Sequence, residues 1–276
     1  MSFFSKLSSG WDLAKVSFET INKNRSLMLF PIFSVISLIF VLATFAGGSF
    51  FLWGDEIEAM LNDEGTGNIL GIVALFGYYL INYFIIVYFN SALIFCASKA
   101  LNGEETNLSD GLSFANARLG KIFGWAILAA TVGTLLRMLQ ETGKVGEIVS
   151  KIIGIGWSIL TFFVVPILVF EDKGVIDSVK ASGRMMREKW GESLAANVSF
   201  GVLNFLCILA ALLIGYLLAS VNVILGIVVG MLLFLVAAIF FSTAQTVFVA
   251  AVYNHVNGQP IGDFDGPTLD AAFINK

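Results

Sequence analysis

The chain has 276 residues, of which 57% are hydrophobic and only 13% are charged, and its formal net charge is −4. A mean hydropathy of +0.86 lies outside the range of soluble globular domains. This composition excludes an ordinary soluble protein and predicts a polytopic membrane protein with no nucleic-acid partner.

Six apolar runs are each long enough to cross a hydrocarbon core of about 30 Å, which takes about 20 helical residues. They lack two-residue alternation, so we predict helices and not the strands of a β-barrel. The runs lie near 28–53, 68–98, 119–140, 152–170, 195–220 and 223–253. The predicted fold is an all-α integral membrane protein with six transmembrane helices in one bundle over residues 1–254, followed by a cytoplasmic tail over 255–276.

The Lys and Arg residues predict the orientation of the bundle, because cytoplasmic loops carry an excess of them. The amino end and the segments after the second, fourth and sixth runs hold thirteen of the sixteen, and the other side holds only Arg137, Lys144 and Lys151. We therefore predict a multi-pass protein of the bacterial inner (plasma) membrane with both termini in the cytoplasm. The first apolar run is too long for the core of a cleavable signal peptide, so we expect it to remain as an anchor.

A charged segment with helical periodicity follows the fourth apolar run. Its apolar residues Ile176, Val179, Gly183, Met186 and Trp190 step by three and four positions, which makes one face of a helix. A second face carries the three cations Lys180, Arg184 and Arg187. The pattern predicts a basic amphipathic helix at the membrane interface, which contacts anionic lipids at the cytoplasmic face or a partner through these cations and Trp190.

The same step pattern occurs twice more, before the first and third apolar runs. It comprises Leu7, Trp11, Ala14, Phe18 and Ile21 in one place, and Leu108, Leu112, Ala115, Leu119 and Ile122 in the other, where Asn107 or Ser109 can cap the helix and Asp110 suits its first turn. Each odd-numbered spanning helix is thus preceded by a predicted interfacial helix. We predict three units, each an interfacial helix and a transmembrane hairpin, near 1–100, 101–170 and 171–254.

Two stretches carry a resemblance to known families. "WDLAKVSFETINKNRSLMLFPIFS" and "VVPILVFEDKGVIDSVKASGRMMREKW" resemble an uncharacterised family of small bacterial six-helix membrane proteins. The second stretch is also similar, more weakly, to the membrane domain that accompanies some glycerophosphodiester phosphodiesterases, in a proline-bearing helix, a Glu at its inner end, an inward Ser and a terminal Trp. These positions are Pro166, Glu171, Ser182 and Trp190. The resemblance implies the six-helix architecture, and the phosphodiesterase domain itself is absent from the sequence.

Residue types that carry catalysis are scarce. His255 is the only histidine, and one histidine cannot build a multi-histidine metal site. Cys96 and Cys207 lie in different apolar runs without a CxxC spacing, which is typical of small packing residues. We predict that the protein is not an enzyme and has no catalytic, cofactor-binding or metal-binding residues.

Uncharged polar residues occur inside the apolar runs. Asn82, Asn90, Asn204 and Gln245 are the candidates for a polar path, although hydrogen bonds that join helices are the commoner use of such residues. Small residues at four-residue spacing predict close helix packing by Ala211, Gly215, Gly226 and Gly230. The pattern leaves open whether they pack within the chain or between copies in a homo-oligomer.

Three function classes follow in order of preference. The first is a non-enzymatic scaffold or membrane-sensing interaction module, which fits the three interfacial helices. The second is a channel or facilitator for a neutral or lipid-like solute, which the polar residues in the apolar runs suggest. The third is a lipid enzyme embedded in the membrane, for which the sequence offers no acid–base pair.

Overall fold

The computed structural model describes residues 14–51, 66–171, 173–189 and 195–264. Helices account for most of these residues, and none of them lies in a strand. The all-α class is therefore confirmed. Trp190, Leu7 and Trp11, which the sequence places on the apolar faces of two interfacial helices, lie outside the described residues.

The first described helix, α1 (14–23), is joined to α2 by a 3₁₀ turn at Arg25–Met28. The helices after α1 are α2 (Leu29–Phe51), α3 (Thr66–Leu101), α4 (Leu108–Asn116), α5 (Leu119–Gln140), α6 (Lys144–Leu160), α7 (Val164–Phe170), α8 (Val175–Lys189), α9 (Ala195–Ala219) and α10 (Val223–Val256). Asn107 caps α4, since its Oδ1 accepts from the amide of Asp110 at 3.0 Å and its own amide faces Asp110 Oδ2 at 3.4 Å. The cap at Asn107 is thus confirmed.

Five segments of the described chain are long and apolar enough to cross a membrane. They are Arg25–Phe45, Gly71–Leu101, Leu119–Gln140, Lys144–Phe170 and Val223–Val256. The fifth predicted run corresponds to a shorter apolar helix, Leu203–Ala219, within α9. The chain is a multi-pass membrane protein by this criterion, and the sixth span stays a prediction.

The fourth predicted span is broken into α6 and α7. Pro166 cannot donate a hydrogen bond, and it lies in the first turn of α7, where a helix needs no such donor. Residues 161–163 form a turn between the two helices, in which the Val164 amide bonds to the Thr161 carbonyl at 3.0 Å. Five of the seven residues of α7 are buried, and Val164, Ile167 and Leu168 are fully so.

The chain forms two compact units. One consists of Met1–Ile32, Ala92–Gly111 and Met185–Lys276, and the other consists of Phe33–Ser91 and Leu112–Arg184. The three units predicted from the sequence are consecutive stretches of the chain, whereas each compact unit combines separate stretches. The three-unit division stays a prediction.

In the first unit the core lies around the carboxyl-terminal halves of α3 and α10. Residues 246–254 of α10 are all buried, whereas most of its first half is exposed. The buried Ser98 hydroxyl donates to Asn254 Oδ1 at 3.0 Å, and Asn254 Nδ2 donates to the Pro260 carbonyl at 2.9 Å. Residues 257–264, predicted as an irregular tail, are thereby held against the end of α3, where Gly262 lies close to Leu101.

The hairpin of α9 and α10 also belongs to the first unit, and glycines allow its helices to approach closely. A Cβ added at Gly226 would lie 2.5 Å from the Gly215 carbonyl oxygen and would overlap the backbone of Ala219. A Cβ added at Gly215 would lie 3.1 Å from the Gly230 Cα. The small residues predicted to pack thus lie in contact within the chain.

In the second unit α5 and α6 form a hairpin. Trp125 and Trp157 stack with their ring centroids 5.8 Å apart, and Ser150 donates to the Leu136 carbonyl at 2.9 Å. The Arg118 guanidinium joins the start of α5 to the end of α7.

Candidate functional site

The buried face of α8 differs from the apolar face that the sequence predicts. Ser178 and Ser182 are fully buried and Met186 is 6% exposed, while Ile176 is 54% exposed. At two positions of α8 the fold therefore buries a serine, whereas the sequence pattern places the following residue, Val179 or Gly183, on the buried face. The small side chains allow α8 to approach its neighbours closely, at the cost of burying two hydroxyl groups that need hydrogen bonds.

Both hydroxyl groups have partners. Ser178 Oγ donates to the Gly174 carbonyl at 2.9 Å, one turn earlier in the same segment. Ser182 Oγ accepts from the backbone amide of Phe163 at 3.0 Å, in a buried contact. Phe163 lies in the turn between α6 and α7, so Ser182 satisfies an amide that the break in the span leaves outside the helical ladder.

Close packing reinforces this contact. A Cβ added at Gly183 would lie 2.5 Å from Cδ1 of Leu160, the last residue of α6. Gly183, the smallest residue of the predicted apolar face, therefore leaves room for the Leu160 side chain of the broken span. We conclude that α8 is fixed to the break by one hydrogen bond and one steric fit.

The exposed side of α8 carries the predicted cations. Lys180, Arg184 and Arg187 are all exposed, and at 100° per residue they fall with Ile176 within an arc of about 80°. Asp177 borders this arc, and its carboxylate lies 3.5 Å from the Lys180 ammonium with 69% of both side chains exposed. Such an exposed pair contributes little to stability. We refer to Ile176, Lys180, Arg184 and Arg187 as the basic face of α8.

Two other cations hold the end of α7. Arg118 Nε donates to the Val169 carbonyl at 2.6 Å, and its guanidinium lies 3.6 Å from the ring centroid of Phe114. Lys121 Nζ donates to the Glu171 carbonyl at 3.2 Å. The last carbonyls of a helix lack partners within it and attract positive charge. Desolvation by the surrounding protein lowers the pKa of Arg118 from its ordinary value.

The four polar-path candidates divide between the two units. In the second unit Asn82 donates to the Tyr78 carbonyl at 2.7 Å, one turn earlier, and Asn90 is half-buried. In the first unit Gln245 is exposed, and Asn204 Oδ1 is buried without a hydrogen-bond partner among the described residues. A single polar path lined by all four residues stays a prediction.

A pocket of about 320 Å³ lies in the first unit where α1, α3 and the segment after α10 end. Its charged lining includes Lys23, Glu104, Glu105 and Asp263. Lys23 Nζ donates to Asp263 Oδ2 at 2.5 Å, and this hydrogen bond, with the charge of Asp263, raises the pKa of Lys23. Both side chains are more than half exposed, so the pair contributes little to stability. That small contribution is present below the ordinary pKa of lysine and is lost as the pH rises through the raised pKa.

The sequence pattern did not identify three of these features. Asn254 is the last residue of the predicted bundle, and nothing in its sequence neighbours indicates a partner 156 residues away. The sequence pattern identifies Arg118 and Lys121 only as cytoplasmic cations.

Within the described residues, no group of three or more His, Cys, Asp or Glu is placed to hold a metal ion.

Comparison with known proteins places the chain in a family. The model of a family of unknown function (DUF6159) matches residues 69–262, which is more than half of the chain. The chain belongs to this family. The match runs from α3 to the segment after α10, so it includes the broken span and α8. No curated protein and no solved structure matches this family member.

Proposed function

We propose that this DUF6159 protein is a non-catalytic membrane scaffold or sensing module with six spans and both termini in the cytoplasm. The observation that supports the proposal best is α8, a charged helix fixed to a broken apolar span by the bond between Ser182 and Phe163. Its cations project away from the contact. A helix held in this way binds a partner without first paying the entropy of folding.

A channel or facilitator for a neutral or lipid-like solute is the second candidate. One specific observation favours it: Asn204 Oδ1 is buried in an apolar helix without a hydrogen-bond partner in the described part of the chain. Buried polar atoms of native proteins are nearly always satisfied, by protein or by water. Water or a solute beside α9 would satisfy this oxygen.

Single substitutions of Asn82, Asn90, Asn204 and Gln245 by Leu separate the two candidates. In a scaffold the polar groups only join helices, so each substitution changes the melting temperature in detergent by a modest amount, equivalent to about 1 kcal/mol or less. In a facilitator the same substitutions remove solute flux into proteoliposomes while the melting temperature is kept. Flux lost at an unchanged melting temperature contradicts the scaffold.

The partner of a scaffold is found by capture from native membranes. The unmodified protein is purified with its surrounding lipids, and mass spectrometry identifies the lipids and proteins that remain bound. A scaffold retains a defined protein or lipid set. A chain that retains neither, and that conducts a solute, is a facilitator.

A further inference from the structure

We propose that the basic face of α8 is a docking surface for an anionic bilayer, on which Ile176 inserts among the headgroups while Lys180, Arg184 and Arg187 contact lipid phosphates. The inference rests on the proposed function and names its partner. It keeps the three cations that the sequence predicts as lipid or partner contacts, but of the described residues on the predicted apolar face only Ile176 takes part in the docking.

The opposite side of α8 is not available to lipid. Ser178 and Ser182 are fully buried, and Gly183 is in contact with Leu160. The helix can therefore meet a membrane only through its exposed arc, where an apolar residue lies among three cations. An exposed Ile beside basic residues suits the headgroup region, which accepts both groups at once.

The connection to the membrane span limits how far α8 can lie from the bilayer. The span Lys144–Phe170 ends five positions before α8 begins at Val175. The five Cα-to-Cα steps from Phe170 to Val175 reach at most about 18 Å when fully extended. Since the headgroup region on each side of the core is itself about 5–8 Å thick, the first turn of α8, with Ile176, starts close to it.

Charge decides between an anionic and a neutral surface. Among the described side chains the arc holds three cations, and the carboxylate at its border, Asp177, makes only a long and exposed contact with Lys180. Each cation near an anionic leaflet strengthens binding by about fivefold. Three cations together give about a hundredfold preference for an anionic bilayer over a neutral one, and this preference declines with salt.

The test uses the full chain in lipid nanodiscs. Ile176 is replaced by Cys in a chain with Cys96→Ala and Cys207→Ala, and the new thiol carries an environment-sensitive fluorophore. The discs contain phosphatidylcholine alone or with 30% phosphatidylglycerol. We expect a blue shift of emission only in the anionic discs, and we expect 1 M salt to reverse it. A fluorophore at exposed Thr142 serves as the control position, and it should give the same emission in both discs.

Charge variants show whether the cations cause the shift. At 30% phosphatidylglycerol the triple variant Lys180→Gln, Arg184→Gln and Arg187→Gln should give no blue shift, because the loss of three cations weakens docking on the anionic surface by about a hundredfold. Asp177→Asn should strengthen docking by about fivefold and give the shift at a lower share of phosphatidylglycerol. All four side chains are exposed, so the melting temperature should not change.

Two results of the fluorescence test would overturn the docking surface. They are equal emission in the two kinds of disc, and an unchanged response of the triple variant at an unchanged melting temperature. A triple variant that instead loses a captured acidic protein identifies a protein surface and also contradicts the lipid proposal. The scaffold itself fails on a different measurement, the solute flux of the unmodified protein.

Discussion

A serine hydroxyl holds α8 to the broken span. Ser182 and Ser178 are both fully buried on the same face, but only Ser182 bonds outside its own helix, by accepting from the Phe163 amide of the turn between α6 and α7 at 3.0 Å. The Gly174 carbonyl that Ser178 reaches already accepts from the Ser178 amide at 2.9 Å. The two serines, although alike in type and burial, should therefore contribute differently to the stability of the fold.

Replacing Ser182 by Ala should destabilise the protein by about 1–3 kcal/mol, because it removes the buried hydrogen bond that the Phe163 amide donates to the Ser182 hydroxyl. Ser178→Ala is the matched control and should cost less, since the Gly174 carbonyl keeps its backbone bond. The melting temperature of each variant in detergent measures the difference. Equal losses in the two variants would show that the contact across to Phe163 contributes nothing beyond packing.

Gly111 in the first unit is the second residue under a strict constraint. A Cβ there would lie 2.6 Å from Cζ of Phe30 and 2.9 Å from the Cys96 sulfur. Gly111→Ala should therefore destabilise the fold by about 1–3 kcal/mol through overpacking. Gly120→Ala, in a helix with nothing within 4 Å of the added methyl group, should be neutral or stabilising by up to about 1 kcal/mol. Thermal unfolding of both variants checks the contrast, and a neutral Gly111→Ala would contradict it.

At the scale of the elements, α9 and α10 are held together by the shape of their backbones. Inside lipid the hydrophobic effect gives no drive for two apolar helices to associate, so close van der Waals contact has to supply it. The glycines at 215, 226 and 230 allow that contact, and no hydrogen bond between α9 and α10 is needed to explain it.

Gly226→Ala should separate α9 from α10 and lower the melting temperature, because the added methyl group overlaps the backbone of Ala219, which cannot rotate away. A loss of about 1–3 kcal/mol is expected for such overpacking. Gly201→Ala, in the same hairpin with open space around it, is the control and should not destabilise. If Gly226→Ala left the melting temperature unchanged but disrupted an oligomer, the glycines would serve a contact between copies.

Helix class and the cap of α4 could be predicted from sequence because apolar composition, run length and the spacing of Asn107 and Asp110 are local features. The face of α8 could not, since Ile176 and Val179 are more apolar than the serines that the fold buries instead. Burial there is decided by a close approach to Leu160 and Phe163, which are distant in sequence. The break before Pro166 was visible only as a proline, and its partner Ser182 was named through a family resemblance and not through periodicity.

At the scale of the whole molecule, the topology is a testable prediction. With both termini in the cytoplasm, the turn between α5 and α6 faces outward and the turn before α4 faces inward. In a chain without its native cysteines, a membrane-impermeant thiol reagent added to intact cells should label Thr142→Cys and should not label Asn107→Cys. Both positions are exposed, so access alone is equal. Labelling of Asn107→Cys in intact cells would overturn the six-span topology.

The uneven burial of α10 limits how the protein can respond to a change in bilayer thickness. The helix has 34 residues and is about 51 Å long, whereas a hydrocarbon core is about 30 Å thick. Its second half is covered by the first unit, so tilting or sinking to relieve hydrophobic mismatch would have to disturb that core. The strain of a thinner or thicker membrane therefore falls on the other end, at the hairpin tip where Val221 is 83% and Ile224 is 74% exposed.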